Sequence, residues 1–465
     1  MSLASVEFAI FVAALLVPYR ALSAGGQNWW LLAASYVFYA SFGWPLPVLL
    51  FAVTGFNYLA GKAVARGVRS VLWLAVGADV GMLAALKIAA AGSTIVPLAP
   101  DTTPSAVPML VWPIGLSFYV LGVISYLVDV GRRPARAASS FRDFALYVAY
   151  FPKLLSGPIE RAISFLPPLE GRRAPDGAEI ERSVNLIMLG LFRKCVIADS
   201  LAAYFDEGLF APPLAASPAG ILGDMLMFQF VIYNDFAGYS DLVRGVSGLF
   251  GIQLSENFRR PFFARSFSDL WMRWHVSLSS WLRDYVYLPV TRSLLRADPD
   301  PRRLSVLFLP PLVTMTASGL WHALSIGPVV WGVLVGVLQG AGQVRAVGRD
   351  RTALARQPAW RRGVAALVTT ILCSLILVPF RMDLGAALDT WTALAAWPGP
   401  IRPYPFATLL IAVSLAIDAV QERAGDDVPF VRWPRVAHAA VLAVAALAIF
   451  LATRAPARPF VYQGF

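Results

Sequence analysis

Three histidines are the side chains of this 465-residue sequence best suited to proton transfer. His275 lies in "SDLWMRWHVSLSSWLRDYVYLP", His322 ends an apolar run in "TASGLWHALSIG", and His438 opens the last apolar run beside Arg435. Apolar surroundings disfavour imidazolium, and a neutral imidazole can accept a proton from an alcohol. A buried histidine often only exchanges hydrogen bonds, but ionisable groups inside a membrane tend to mark function. We therefore expect chemistry at His275 and His322, and a structural role at the interface for His438.

Acyl transfer from a thioester to a hydroxyl needs little more than such a base. It also requires an aligned acceptor and donors for the developing oxyanion. Ser318, the backbone near Gly319, Tyr233 and Asn234 are candidate donors, and the sequence does not choose among them. The chain has no GxSxG motif with matching Asp and His, no Gly-rich phosphate loop and no metal-ligand spacing. The absence of these motifs argues against a covalent serine triad and against a metal centre.

The elements that carry these residues are predicted to be membrane helices. The chain is 58% hydrophobic and 14% charged, with a mean hydropathy of +0.63, which is too apolar for a soluble domain. Runs of about 17 to 25 apolar residues, long enough to cross a bilayer as helix, recur along it. The predicted spans lie near 3–22, 28–44, 46–63, 71–90, 108–130, 219–236, 304–322, 327–344, 364–381, 405–420 and 436–453, with shorter apolar pieces near 144–155 and 184–204. The prediction is an all-α, polytopic integral membrane protein with about eleven transmembrane helices.

The net charge of +11 lies mostly in the connections between these spans. Basic residues are not gathered with aromatic residues into one groove, which argues against a nucleic-acid partner. The connections hold Arg20, Arg66, Arg69, Arg132, Arg133, Arg136, Arg142 and six arginines from Arg345 to Arg362, whereas 91–107 has no Lys or Arg. If basic connections stay in the cytoplasm, the N-terminus lies outside and the first five spans alternate consistently.

The region from about 141 to 301 differs from the rest, because its apolar runs are short and broken by Gly, Pro and charged residues. Broken backbone persists at membrane depth only when it is buried in protein or lines water. We therefore expect re-entrant and interfacial helices here, and the site with them. No internal repeat appears, so a single membrane domain is predicted over 1–465, with its core motifs at 141–330.

One amphipathic helix is predicted within this region. Trp271, Trp274, His275, Trp281 and Tyr285 recur at steps of three and four residues and form one aromatic face. Tryptophan and tyrosine favour the headgroup level of a bilayer. The helix is therefore either an interfacial anchor or a part of the site.

Three long motifs occur in order: "YFPKLLSGPIER" at 150–161, "NDFAGYSDLVRGVSGLFGIQLSENFRRPFFARSFSDLWMRWHVSLSSWLRDYVYLP" at 234–289 and "SGLWHAL" at 318–324. They closely resemble the membrane-bound O-acyltransferase family in its bacterial branch, which includes membrane proteins of alginate O-acetylation and of teichoic-acid D-alanylation. Weaker similarity in "ASYVFYASFGWP", "PIGLSFYVLGVISYLVDVGRR", "GLFRKCVIADSLA" and "PFRM" extends the resemblance over nearly the whole chain.

The resemblance implies a disc of membrane helices, thinned in the middle, with a central tunnel or a pair of funnels that meet at the site. It implies that His322 is the essential catalytic residue and that His275 is the second histidine of the site. The motif residues expected to bind substrate are Trp274, Arg273, Ser318, Trp321, Asn234, Asp235, Tyr239 and Asn257.

The resemblance also implies a co-substrate, partners and a location. The acyl group is expected from acetyl-CoA or an acyl carrier protein thioester on the cytoplasmic face, with no tightly bound cofactor and no metal. It is expected to be delivered outward, with an extracytoplasmic acetyltransferase or polysaccharide export proteins as partners beside membrane lipids. The expected location is the bacterial inner membrane, in several passes.

Two departures from the relatives leave the acceptor and the donor carrier open. This chain continues "YLP" with "VTRSLLRADPDPRRLS" where alginate-type relatives have a short Gly-Gly-Asn-Arg-like turn, and Ala323 follows "GLWH" where Gly is usual. The prediction is acetyl transfer to hydroxyls of a cell-surface or exported polysaccharide. The alternatives are transfer of D-alanine or a lipid chain by the same fold, and a transporter without chemistry.

Overall fold

The computed structural model describes residues 1–92, 113–204, 218–347, 358–382, 384–396 and 404–453. Every regular element in these ranges is a helix, which confirms the predicted all-α class. The described chain forms two compact units, residues 1–187 with 239–255 and residues 188–238 with 256–453. We call them the first and the second unit. The prediction of one domain over 1–465 stays a prediction.

The first unit contains most of the N-terminal half of the chain. Its helices are α1 (Val6–Tyr19), α2 (Ala24–Ala40), α3 (Pro45–Ala65), α4 (Arg69–Gly92), α5 (Leu116–Arg132), α6 (Phe141–Ala149), α7 (Phe151–Leu154), α8 (Ala162–Phe165) and α9 (Gly177–Leu191, of which residues up to 187 belong here), with 3-10 turns at Pro134–Arg136 and Pro167–Leu169. Its core is aromatic, since the rings of Phe8, Phe38 and Phe151 lie 5.7 to 6.2 Å from one another. Short helices α6 to α8 agree with the broken pattern predicted from residue 141 onward.

The first unit also buries polar groups beside this core. The Arg173 guanidinium donates to the Tyr19 hydroxyl at 2.7 Å and to Asn28 at 2.7 Å. Lys153, of which only 9% is exposed, has its ammonium 4.9 Å from the centre of the Tyr147 ring. These contacts satisfy polar side chains inside an apolar interior, where an unmade hydrogen bond would be costly.

The second unit contains both motif histidines. Its helices are α10 (Asp199–Ala202), α11 (Pro218–Leu249, of which residues up to 238 belong here), α12 (Phe267–Arg273), α13 (Val276–Leu282), α14 (Leu288–Ala297), α15 (Leu304–His322), α16 (Ile326–Ala346), α17 (Ala359–Arg381), α18 (Leu384–Ala396), α19 (Pro405–Ala424) and α20 (Arg435–Ala452). Two π-helical stretches, Phe192–Ala198 and Arg283–Tyr287, and 3-10 turns at Pro261–Phe263 and Pro429–Arg432 complete it.

Each predicted span overlaps one helix of the structure. Seven helices of the described chain, namely α3, α4, α15, α16, α17, α19 and α20, are long and apolar enough to cross a membrane. The protein is therefore a polytopic membrane protein. Helices α1 and α2 are shorter, with 14 and 17 residues, and α11 extends to 32 residues, well beyond the predicted 219–236. The count of eleven spans and the central tunnel stay predictions, and most of the 91–107 connection lies outside the described residues.

Candidate active site

His275 lies at a break between two helices. Its backbone has φ 43° and ψ 56°, the left-handed region, and it separates α12 from α13. The prediction of one continuous amphipathic helix is therefore wrong, since α12, α13, a π-helical stretch and α14 follow one another. The aromatic spacing continues across the break, so periodicity alone gave no sign of it. A non-glycine residue in this region costs about 1–3 kcal/mol and persists where the surroundings impose it.

Hydrogen bonds from residues 257–259 help to hold His275 in this backbone conformation. The Arg259 N–H donates to the Arg273 carbonyl at 2.8 Å, and the Val276 N–H donates to the Asn257 carbonyl at 2.8 Å. The Asn257 side-chain oxygen also accepts from the Ser277 hydroxyl at 2.6 Å. Backbone on both sides of His275 is thus paired. Asn257, predicted to bind substrate, supports the first turn of α13 through this bond.

Aromatic rings enclose the His275 imidazole. The Phe236 ring meets it edge to face at 4.8 Å and the Trp321 ring lies 6.4 Å away, so only 2% of His275 is exposed. Burial first, and then the charge that nearby His322 would carry, hold the pKa of His275 well below its ordinary value. His275 is therefore a neutral imidazole at physiological pH.

His322 is the last residue of α15 and also lies among aromatic rings. Its ring is 4.8 Å from Trp321, 5.9 Å from Trp331 and 5.1 Å from Phe380, and 7% of the residue is exposed. Trp321 therefore contacts both imidazoles. The structure brings together three of the predicted site residues, His275, His322 and Trp321. Trp274, the residue before His275, packs instead against the Phe258 ring at 5.1 Å.

Close packing of α15 on α16 fixes the position of His322. A Cβ atom on Gly319 would lie 2.1 Å from the Pro328 carbonyl oxygen, and one on Gly332 would lie 2.3 Å from that of Met315. Small residues at such positions allow membrane helices to approach closely. Close packing of α15 on α16 therefore explains why a glycine stands in the "SGLWHAL" motif, about one helical turn before His322.

Asn234 and Asp235 lie in a buried charged network. The Asn234 amide donates to the Phe230 carbonyl at 2.9 Å and to the Ser414 hydroxyl at 3.0 Å, and its oxygen accepts from Arg193 at 3.2 Å. Asp235 accepts from the Lys194 ammonium at 2.6 Å. Arg193 and Lys194 are adjacent residues of the Phe192–Ala198 π-helix. Such π-helical stretches are frequent at functional sites.

The remaining predicted residues are distributed over both units. The Arg273 guanidinium bonds the carboxylates of Asp269 and Glu422 at 2.9 and 3.1 Å. Tyr239 lies in the first unit, where its hydroxyl accepts from the Ser156 N–H at 3.0 Å. Ser318 is fully buried one helical turn before His322, and its hydroxyl has no hydrogen-bond partner among the described residues.

Two acidic residues of α19 were missed by the sequence analysis. Asp418 accepts from Arg193 at 2.7 Å and from the Tyr233 hydroxyl at 2.8 Å, and Glu422 binds Arg273 and Arg260. The signal that could have found them is an acidic residue within an apolar run, "IAVSLAIDAVQERA". In the described part of the chain, no group of three or more His, Cys, Asp or Glu residues is arranged to hold a metal ion.

Comparison with known proteins agrees with the motifs. The sequence model of the membrane-bound O-acyltransferase family matches residues 107–378, more than half of the chain. A probable alginate O-acetylase AlgI of Pseudomonas putida is 33% identical over 320 residues, which are 67% of this chain and 64% of that protein. A peptidoglycan O-acetyltransferase of Helicobacter pylori is 28% identical over 339 residues, covering 66% of this chain and 63% of that protein.

A third relative carries a different name. A teichoic acid D-alanyltransferase of Streptococcus thermophilus is 27% identical over 299 residues, or 60% of this chain and 69% of that protein. The chain thus spans slightly less than two thirds of the length of the two O-acetylating relatives. These matches confirm the resemblance found in the three motifs, and the chain belongs to the membrane-bound O-acyltransferase family.

Proposed function

We propose that this protein moves an acetyl group from a cytoplasmic thioester to hydroxyl groups of a cell-surface or exported polysaccharide, directly or through an extracytoplasmic partner. The observation that carries the proposal is the pair of buried histidines, His275 and His322, which both contact Trp321 within the segment that matches the family. The names of the relatives from Pseudomonas putida and Helicobacter pylori support acetyl as the group and polysaccharide as the acceptor class.

His322 is the general base in this proposal. The acceptor hydroxyl oxygen attacks the thioester carbonyl carbon while His322 takes the hydroxyl proton. The tetrahedral intermediate then breaks its carbon–sulfur bond, and the departing thiolate receives from His322 the proton that came from the hydroxyl. The products are an acetyl ester and a free thiol. His275, neutral and enclosed by aromatic rings, helps to bind or polarise the acyl donor.

Ser318 is the donor that we favour for the developing oxyanion. The alternatives have other tasks, since the Tyr233 hydroxyl donates to Asp418 and the Asn234 amide donates to Phe230 and Ser414. The N–H of Gly319 lies inside α15, where such groups serve the helix itself. The Ser318 hydroxyl has no partner among the described residues and is one turn from His322.

The remaining parts of the proposal concern location and co-substrate. The chain works in the bacterial inner membrane, around a tunnel that admits acetyl-CoA or a carrier-protein thioester from the cytoplasm. It acts with an extracytoplasmic acetyltransferase or with polysaccharide export proteins. The bacterial origin of the relatives and the membrane-spanning helices support these parts.

Replacing His322 tests the proposal. Membrane vesicles that contain the protein and its polysaccharide are given radiolabelled acetyl-CoA, and label in the polysaccharide is measured. His322→Ala is expected to reduce labelling at least about 100-fold, because a general base contributes ~10²–10⁴ in rate. His438→Ala is the matched control, because His438 lies in the first turn of α20 near Phe430 and takes no part in the proposed step. Full labelling by a folded and inserted His322→Ala protein refutes the proposal.

Transfer of D-alanine is the second candidate, and the teichoic acid D-alanyltransferase relatives favour it. Mass spectrometry of the modified polymer separates an acetyl ester from a D-alanyl ester. A lipid chain would be detected in the same spectrum. Vesicles in which no acceptor takes up any acyl group would favour the transporter alternative.

A further inference from the structure

Two residues other than glycine have positive φ in the described chain, Arg260 at 50° and His275 at 43°. Each lies where a helical segment begins, Arg260 before the Pro261–Phe263 turn and His275 before α13. Strained backbone of this kind persists only where contacts impose it. One carboxylate, that of Glu422 near the end of α19, binds both Arg260 itself and Arg273, two residues before His275.

Glu422 binds both arginines around the break. Its Oε2 atom accepts from Arg260 Nε at 3.1 Å and from Arg273 Nη1 at 3.1 Å, and its Oε1 atom accepts from Arg273 Nη2 at 3.2 Å. The Arg273 contact is thus bidentate, the strong and directional form of an arginine–carboxylate pair. Arg273 is two residues before His275 and also donates to the Arg259 carbonyl at 3.1 Å.

These ion pairs are partly screened from water. The side chains of Arg260, Arg273 and Glu422 are 15%, 18% and 29% exposed. Isolated exposed ion pairs contribute little, whereas networks and bidentate pairs contribute more. Asp269 extends the network by accepting from Arg273 Nε at 2.9 Å.

The same helix supports the break from a second direction. Asp418, one turn before Glu422, accepts from the Tyr233 hydroxyl at 2.8 Å. The Tyr233 ring lies 6.3 Å from that of Trp274, the residue before His275. Helix α19 therefore reaches the break through Glu422 and Arg273 and through Asp418 and Tyr233. It lies outside residues 107–378, the part that matches the family.

We propose that Glu422 is a positioning residue, whose carboxylate holds Arg260 and Arg273 and thereby keeps His275 in its left-handed backbone conformation. Glu422 does not contact substrate in this proposal. Its effect on acyl transfer rests on the proposed function, whereas its effect on the backbone does not. Two separate measurements therefore distinguish failure of the positioning role of Glu422 from failure of the proposed acyl transfer.

The first measurement is amide hydrogen exchange of the protein in detergent. Glu422→Gln keeps the size of the side chain and removes its charge. We expect exchange in peptides covering 256–280 to become about tenfold faster, because local opening is set by the contacts that close the segment. The Val276 N–H, bonded to Asn257, is the most direct reporter. Peptides from α15 and α16 should exchange as in the wild type.

The second measurement is the kinetics of acetyl transfer. Glu422→Gln should lower kcat about tenfold with a smaller change in KM for the acyl donor. The reason is that a displaced His275 would polarise the acyl donor less well in the reaction step. Glu422→Asp, which keeps the charge, should recover part of kcat. Asp298→Asn is the matched control, because it removes an exposed ion pair with Arg303, and it should change neither measurement.

Unchanged exchange over 256–280 in Glu422→Gln overturns the proposal, and so does an equal increase over the whole second unit, which would mean a general loss of stability. If Glu422→Gln fails to fold, Arg273→Lys takes its place, because lysine keeps the charge and loses the bidentate contact. A wild-type protein that transfers no acetyl group would refute the proposed function, and the exchange result would still decide the role of Glu422.

Discussion

His275 is the residue whose protonation is most constrained by its surroundings. It is 2% exposed, and its pKa lies well below the ordinary value of 6.5 because of burial and the nearby His322. Between its native and its unfolded pKa, the unfolded chain binds more protons than the native one. Stability from this residue is therefore fully present above pH 6.5 and is lost as the pH falls below it.

A pH series measures this loss. The free energy of unfolding in detergent should fall below about pH 6.5, by up to ~1.4 kcal/mol per pH unit for one group. His275→Gln, which is neutral at every pH, should show a smaller acid dependence in thermal unfolding between pH 5 and 8. Equal acid dependence of the two proteins would contradict the assignment of a low pKa to His275.

Both histidines could be selected as candidate site residues from the sequence, because the chain has only three and two of them lie in apolar motifs. The contacts of the segment around them could not be predicted from the sequence. Arg273 was expected to bind substrate, yet its carboxylate partner Glu422 is 149 residues away in the sequence. Tyr233 and Asp418 are 185 residues apart. Pairings over such separations are set by helix packing, which no local spacing encodes.

At the scale of elements, the apolar runs predicted the long helices well, because a bilayer requires long apolar helices and backbone hydrogen bonds within each segment. The same periodicity failed between Ser268 and Pro289, where parts of four helical stretches replace the one predicted helix. A single left-handed residue at position 275 interrupts the backbone bonding and leaves the aromatic spacing almost unchanged. The break depends on the Asn257 and Arg259 pairing, which comes from a distant part of the motif.

The glycine contacts between α15 and α16 give a prediction at this scale. Gly332→Ala places a Cβ atom 2.3 Å from the Met315 carbonyl oxygen, so the helices must move apart. We expect a loss of ~1–3 kcal/mol, the usual cost of overpacking, together with reduced acyl transfer because α15 carries His322. Thermal unfolding in detergent and the labelling assay measure the two effects.

Gly342→Ala is the matched control, because it lies on α16 with no atom near its added Cβ. Alanine also favours helix over glycine by about 1 kcal/mol, so this protein should be as stable as the wild type or slightly more stable. Equal destabilisation by both substitutions would show that the close approach at Gly332 is not what matters.

At the scale of the whole molecule, the positions of the arginines predict how the chain is oriented in the membrane. Val68, 45% exposed between α3 and α4, is flanked by Arg66 and Arg69, and basic connections stay in the cytoplasm. Ser41, at the end of α2, belongs to the preceding connection and is expected outside. The N-terminus is then outside as well.

Cysteine labelling tests this orientation. In a protein with Cys195→Ala and Cys373→Ala, an added Ser41→Cys should react with a membrane-impermeant maleimide in spheroplasts. An added Val68→Cys should react only after lysis. The reverse pattern would contradict the predicted orientation, and reaction of both in spheroplasts would contradict a membrane crossing by α3.

The residues that support His275 extend beyond the part of the chain that matches the family model. The match to the family model ends at residue 378, whereas Asp418 and Glu422, which brace the histidine segment, come later. Chimeras that exchange the region after 378 between relatives would therefore keep the three long motifs and both imidazoles but change the carboxylates that brace His275. Such exchanges should be designed with α19 kept together with the segment 256–280 that it contacts.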